Sequence, residues 1–174
     1  WSDRLMVPHN WSSSKEVPTI HRVIDEKGLK RLILWSGLYP ARLAVSENDG
    51  ATWSGLRPVG DWGGIVVMGA VVDLITPGHY LAMFHDDGRF FTKEGKRTGI
   101  FTLYQTNSTD GGITWSHPFP IYQNKEIHLC EPGIIRSPDG HQLAALLREN
   151  SRTKNSHVIF SNDEGVSWSA PVEL

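Results

Sequence analysis

The sequence predicts an all-β fold of stacked four-stranded blades, and two observations predict it. A nine-residue box occurs three times, SENDGATWS at 46–54, STDGGITWS at 108–116 and SNDEGVSWS at 161–169, with Ser, Gly, Trp and Ser at fixed offsets and Asp or Asn in the third place. Its tryptophans, Trp53, Trp115 and Trp168, stand 62 and 53 residues apart, and Trp1-Ser2 reads as the tail of a further copy 52 residues before Trp53. A period of this size marks repeated supersecondary units rather than one irregular domain. The second observation is what fills each interval: short apolar runs, several of them rich in β-branched residues, bounded by turn residues. Four antiparallel strands in about 45–60 residues make a β-propeller blade.

The elements follow in the same order in each unit. A first strand is expected in PTIHRVI at 18–24, VVMGAVVDLI at 66–75 and PGIIRS at 132–137, and a turn in DEKG at 25–28, TPG at 76–78 and SPDG at 137–140. The second strand is LKRLILW at 29–35, HYLAMF at 79–84 and HQLAALLR at 141–148. HQLAALLR suits a helix as well as a strand by itself, and its place in the repeat assigns it to a strand. The third strand is RLAVS at 42–46, IFTLYQT at 100–106 and HVIFS at 157–161, after which the box turns the chain into a fourth, SGLRPVG, SHPFPIY or SAPVEL. Blades are expected at about 17–60, 64–122 and 128–174, with 1–16 the tail of a preceding repeat.

The box has a mechanical task. Asp110 and Asp163, and Asn48 in the first copy, are placed to accept hydrogen bonds from turn amides, Gly112 and Gly165 permit a positive φ, and the Trp packs beneath the turn. These aspartates read as structural.

Bulk properties exclude several function classes. A length of 174 residues supplies one substantial core, 39% hydrophobic and 21% charged residues are ordinary for a globular chain, and a net charge of −2 offers no basic patch for nucleic acid. No apolar run reaches the roughly 18 residues of a membrane span. Cys130 has no cysteine to pair with in the chain, and the eight histidines show neither HxH nor HExxH spacing, so neither a metal nor another cofactor is expected.

Strands one and two of a blade are antiparallel, so the start of the first and the end of the second share a rim, and the box lies at the opposite one. Binding residues are therefore expected after each second strand, in SGLYPA at 36–41, HDDGRFFTKEGKRTG at 85–99 and ENSRTKNS at 149–156. The middle loop carries His85, Asp86, Asp87 and Arg89, of which Asp86 is favoured as an acid because it lies nearer the strand; the competing reading is a solvated Asp-Asp-Gly turn. Arg42, two residues after Pro40, is a candidate carboxylate ligand or a plain strand-end arginine. His128 is a candidate substrate hydrogen-bond partner, whereas Glu149 and Arg152 read as solvated loop charges.

The box resembles the Asp-box, or bacterial neuraminidase repeat, of the sialidase superfamily, and the three copies carry that resemblance over nearly the whole chain. CEPGIIRSPDGHQLAALLREN at 130–150 is similar to the sialidase stretch in which a glutamate opens a strand, an Asp-Gly turn follows and an arginine closes the next strand. The resemblance implies a six-bladed propeller whose site uses an arginine triad, a tyrosine nucleophile activated by that glutamate, and an aspartic acid/base. Carried over, Glu131 is the nucleophile's partner, Arg148 a carboxylate-binding arginine, and Asp86 or Asp87 the acid/base. The family's opening Arg-Ile-Pro is Glu16-Val17-Pro18 here, and Tyr39, Tyr80, Tyr104 and Tyr122 do not match the nucleophile's surroundings. Three blades are half of six. The expectation is thus a piece of a longer propeller, or a homodimer that closes a six-bladed ring. The function implied is a sialidase-like glycosidase, whole or partial, acting on a terminal acidic sugar in a secreted or periplasmic setting; the alternative is a non-catalytic propeller that binds carbohydrate or protein.

Overall fold

The computed structural model describes residues 3–15, 18–37, 40–63, 68–89, 91 and 98–174. Glu16, Val17 and Tyr39, residues 64–67, and residues 90 and 92–97 of the loop at 85–99 therefore lie outside the described residues. Among the described ones the chain is all-β apart from a short 3-10 helix, His9–Ser13, and none of its helices is long and apolar enough to cross a membrane.

Twelve strands form three separate four-stranded antiparallel sheets among the described residues. Blade one holds β1 (Thr19–Ile24), β2 (Lys30–Ser36), β3 (Arg42–Ser46) and β4 (Arg57–Pro58). Blade two holds β5 (Met68–Asp73), β6 (Tyr80–Asp86), β7 (Phe101–Ser108) and β8 (Phe119–Asn124). Blade three holds β9 (Leu129–Arg136), β10 (Leu143–Glu149), β11 (His157–Ser161) and β12 (Val172–Glu173). Each strand pairs with the next in sequence, as the repeat predicts, but the fourth strands of blades one and three are only two residues long. Residues 3–15 contain no strand; Asn10 brackets Leu56, donating to its carbonyl at 2.9 Å and accepting its N–H at 3.1 Å.

Burial explains the apolar patterns. Every residue of β6 is buried, since blade two has a blade on either side. In β10 buried Leu143, Ala145, Leu147 and Glu149 alternate with Ala144, Leu146 and Arg148, which face away from blade two. That period of two resolves the helix–strand ambiguity of HQLAALLR. Between blades one and two, Val23, Ile33, Trp35 and Leu43 meet Ala82, Phe84 and Trp115; between two and three, Leu81, Met83 and Leu103 meet Leu143, Ala145 and Leu147. The outer face of blade one keeps a smaller cluster, Leu34, Ala44 and Leu56 beneath Trp11 and Trp53.

The boxes do what their residues suggest. The hydroxyl of Ser108 donates to Asp110 at 2.9 Å and accepts the Gly112 N–H at 2.9 Å; Ser161 treats Asp163 and Gly165 alike, both at 2.8 Å. Burial pushes the Asp110 carboxyl up, but hydrogen bonds from Thr114, Ser108 and Ile113 outweigh it and hold the group below its usual range. The closing serines, Ser54, Ser116 and Ser169, each bridge back to the third strand through both backbone N–H and side chain. Gly112 and Gly165 have φ of 79° and 80°, and each lies hard against the preceding blade. A Cβ would come within 2.9 Å of Val23 at the first and 2.2 Å of Leu81 at the second. The tryptophans differ: Trp115 is bonded to Gly112 O within its box, whereas Trp168 reaches Gln105 of blade two at 2.9 Å.

Gly140, in the β9–β10 turn, has the same positive φ (81°) with nothing near a would-be Cβ, so it separates strain from crowding. Gly165→Ala is expected to lower stability by about 2–4 kcal/mol, and Gly140→Ala by only about 1–2 kcal/mol, in urea unfolding followed by tryptophan fluorescence.

Candidate functional site

The site grows from the ends of the second strands. The last residue of each is a buried polar group, Ser36, Asp86 and Glu149, and each organises the chain beside it. Ser36 bonds Ser14 across 2.8 Å. Asp86 accepts the N–H groups of Gly88 at 2.8 Å and Phe91 at 3.4 Å. Glu149 accepts from the His128 and Ser151 N–H groups, both at 3.1 Å, from the Ser151 hydroxyl at 2.7 Å, and from the Thr153 N–H at 3.2 Å. Burial pushes the Glu149 carboxyl up, but these four donors prevail and hold it down at about 2.

Two expectations are corrected here. Glu149 is not a solvated loop charge but the buried anchor of its loop. Asp86, favoured as an acid for its place next to the strand, is buried and accepts from the amides of its own loop, and Asp87 is the carboxylate that acts on His85. Asp87 is buried too, so Asp-Asp-Gly is no solvated turn, and its Oδ1 accepts from Arg89 Nε at 2.8 Å.

One residue earlier, each second strand presents a side chain toward the blade that follows. Trp35 meets Trp62 and Trp115 edge-on, with ring centroids 6.4 and 5.2 Å away. His85, 5% exposed, stacks on Phe101, which stacks on His128; the centroids are 5.9 and 4.8 Å apart and the planes within 8° of parallel. Arg148 lies on the face of blade three that no described blade covers.

Glu131 is held in an unusual backbone. It has a φ of 48°, the left-handed region that a glutamate rarely adopts. The β9–β10 register explains why: Cys130 opposes Arg148 and Gly133 opposes Leu146, so Glu131 and Pro132 bulge out of the ladder. The bulge packs onto a second one, because Pro132 O and its ring lie only 2.6–2.7 Å from where a Cβ on Gly69 of β5 would stand. The Glu131 N–H, turned out of its own sheet, donates to His85 Nδ1 at 3.2 Å. Its carboxylate accepts from Arg148 Nη2 at 2.6 Å, and the same nitrogen donates to Asn150 at 3.1 Å. Both members of this ion pair are about half exposed, 50% and 43% by side chain.

Burial lowers the His85 pKa to about 4; Asp87 acts to raise it, and Arg148 and Arg89 to lower it. The imidazole is therefore neutral at pH 7, with Nδ1 the acceptor and the proton on Nε2. Asp87, Arg148 and Arg89 are thus the charges that act on His85, and Glu131 meets it through its backbone N–H. His128 joins them through Phe101, with its Nε2 3.1 Å from Lys125 O.

Other candidates stand elsewhere. Arg42 donates to the hydroxyl and carbonyl oxygens of Ser13 at 2.8 and 3.1 Å, pinning the N-terminal segment to blade one. Tyr80 is engaged by the backbone of Ile24, and Tyr104 stacks on Phe91 and Phe84. Cys130 is buried and burial pushes its thiol up to about 11, which leaves it a poor nucleophile. Among the described residues no three metal-binding side chains converge.

Residues 29–174 match the family described as the BNR repeat-like domain. No curated protein matches the chain. Solved structures share its fold at low identity: a protein of unknown function from Dyadobacter fermentans (14% identity, TM-score 0.61), the catalytic domain of a GH62 α-L-arabinofuranosidase from Coprinopsis cinerea (15%, 0.60), and the intramolecular trans-sialidase from Ruminococcus gnavus in complex with oseltamivir carboxylate (21%, 0.53). The matches cover 90%, 92% and 84% of this chain but 50%, 52% and 27% of theirs, so the chain spans about half the length of the first two.

The depressed Glu149 pKa carries a signed prediction. A carboxyl whose pKa falls on folding stabilises above its unfolded value, about 4.3, and that contribution fades as pH drops toward about 2. Glu149→Gln is expected to lower the urea midpoint at pH 7, and the gap from wild type to narrow below about pH 4, in unfolding curves measured across pH 2–7.

Proposed function

The chain belongs to the BNR repeat-like domain family, and we propose that the rim around His85, Glu131 and Arg148 binds a terminal anionic sugar as part of a sialidase-like glycosidase site. The observation that carries this is the Glu131–Arg148 pair at 2.6 Å, half exposed on the rim opposite the boxes. A guanidinium there offers a fork of donors to a sugar carboxylate and keeps its charge when a ligand covers it. Glu131 stands next to the ligand's carboxylate position, where a base that draws a proton from a nucleophile is required. Asp87, buried and joined to Arg89, is the acid/base candidate from the neighbouring blade.

A retaining reaction needs a nucleophile and an acid/base on either side of the glycosidic bond. Among the described residues the partner of the Glu131 carboxylate is an arginine and not a tyrosine. That observation favours a second reading, in which this rim recognises an acidic sugar without cleaving it. The same shortage supports completion of the ring by further blades or by a second copy set against the open face of blade three. The similarity to a trans-sialidase and an arabinofuranosidase of known fold supports a sugar as the ligand class.

Isothermal titration with 2,3-didehydro-2-deoxy-N-acetylneuraminic acid tests the binding claim, and turnover of a fluorogenic sialoside separates the two readings. Arg148→Ala is expected to weaken binding about 10- to 100-fold, the size of a lost charge-assisted hydrogen-bond pair. Unchanged affinity in Arg148→Ala would remove this rim from the function. Light scattering that returns the 19.5 kDa mass of one chain would reject the dimeric ring.

A further inference from the structure

We propose that His85 is the positioning residue for Glu131: by accepting the Glu131 N–H across the boundary between blades two and three, it holds the carboxylate beside Arg148. Its consequence for ligand binding rests on the reading of this rim given above; the positioning itself does not.

The backbone geometry leaves few alternatives. Glu131 and Pro132 stand outside the β9–β10 ladder, and a proline has no N–H, so the Glu131 N–H is the one donor of the bulge that needs a partner. That partner comes from a different sheet, at 3.2 Å. A glutamate at a φ of 48° persists only when its surroundings over-determine it. Relaxation to an extended backbone would swing the Cα–Cβ bond, and with it the carboxylate, away from Arg148. The Pro132–Gly69 contact restrains one side of the bulge and His85 the other.

His85 is itself well fixed. Its ring is clamped on Phe101, which is clamped on His128, three residues before Glu131 in the same chain segment. Asp87 and Arg89 from its own loop, and Glu131, Arg148 and His128 from blade three, are the charged and titratable groups around it. At this position in blade one stands Trp35, which fills the same gap between blades and offers no acceptor. An apolar ring would thus satisfy the core, so the acceptor nitrogen is the feature that the fold alone does not require.

Three substitutions separate the acceptor from the packing. Asn places Oδ1 near the position of Nδ1, Gln moves its acceptor toward Nε2, and Phe keeps the stack without an acceptor. Amide exchange of Glu131, followed by NMR, is expected to stay slow in wild type and His85→Asn and to quicken about tenfold or more in His85→Gln and His85→Phe. Affinity for the didehydro sialic acid is expected to fall about tenfold in His85→Phe and by no more than about threefold in His85→Asn. In wild type labelled with nitrogen-15, a scalar coupling across the hydrogen bond between Glu131 N and His85 Nδ1 reports the contact without any variant. Absence of that coupling, or Glu131 protection and affinity unchanged in His85→Phe, would overturn the proposal. A wild type that shows the coupling yet binds no sialic acid analogue would retain the positioning and reject the binding function.

Discussion

A single four-stranded sheet has two faces and cannot bury both by itself, so everything here depends on how one blade closes over the next. The contact that makes closure tight is the box glycine against the preceding sheet, Gly112 on Val23 and Gly165 on Leu81. Glycine is needed there twice over, for a positive φ and for the missing Cβ. The Ser–Asp hydrogen bonds keep the turn in the shape that brings the glycine forward, and the closing serine ties the turn back to its own third strand. Blade two, covered on both faces, shows the result in a second strand buried from end to end.

Closure at the box rim leaves the other rim free for polar groups, and there the same blade boundaries are used differently. The position one residue before the end of each second strand carries Trp35, His85 and Arg148 in turn. The first is all packing, the second packs and also accepts a hydrogen bond, and the third turns its charge to the rim. The buried ends of the second strands, Ser36, Asp86 and Glu149, sit just behind and hold the adjoining chain, so the groups at the rim inherit a rigid support. The site is thus a property of the boundary between two sheets more than of either sheet.

The strand order, the box mechanics and the rim that bears Glu131 and Arg148 were legible because each follows from local spacing repeated three times. Roles set by burial were not. Asp86 and Asp87 are adjacent and chemically identical, and only the direction of each side chain makes one the anchor of a loop and the other a neighbour of His85. Glu149 follows Arg148 in a polar stretch that reads as solvated, yet the alternation of β10 turns it inward, onto four donors. Arg42 lies at a strand end as expected, but Ser13, 29 residues earlier, occupies its guanidinium. Nothing in the sequence around Glu131 signals its positive φ, and the proline after it favours an extended backbone instead.

The sequence by itself determined the architecture, since a turn that needs Ser, Asp, Gly and Trp at fixed offsets can be recognised wherever it recurs, and strand periodicity is a local property. It also put Glu131 and Arg148 on one rim, because antiparallel pairing brings the start of one strand beside the end of the next. Tertiary structure alone decided which polar residues meet. His85 and Glu131 are 46 residues apart and belong to different sheets. Their contact exists because two bulges interlock at a blade boundary, and that depends on how sheets stack, a relation no local spacing encodes.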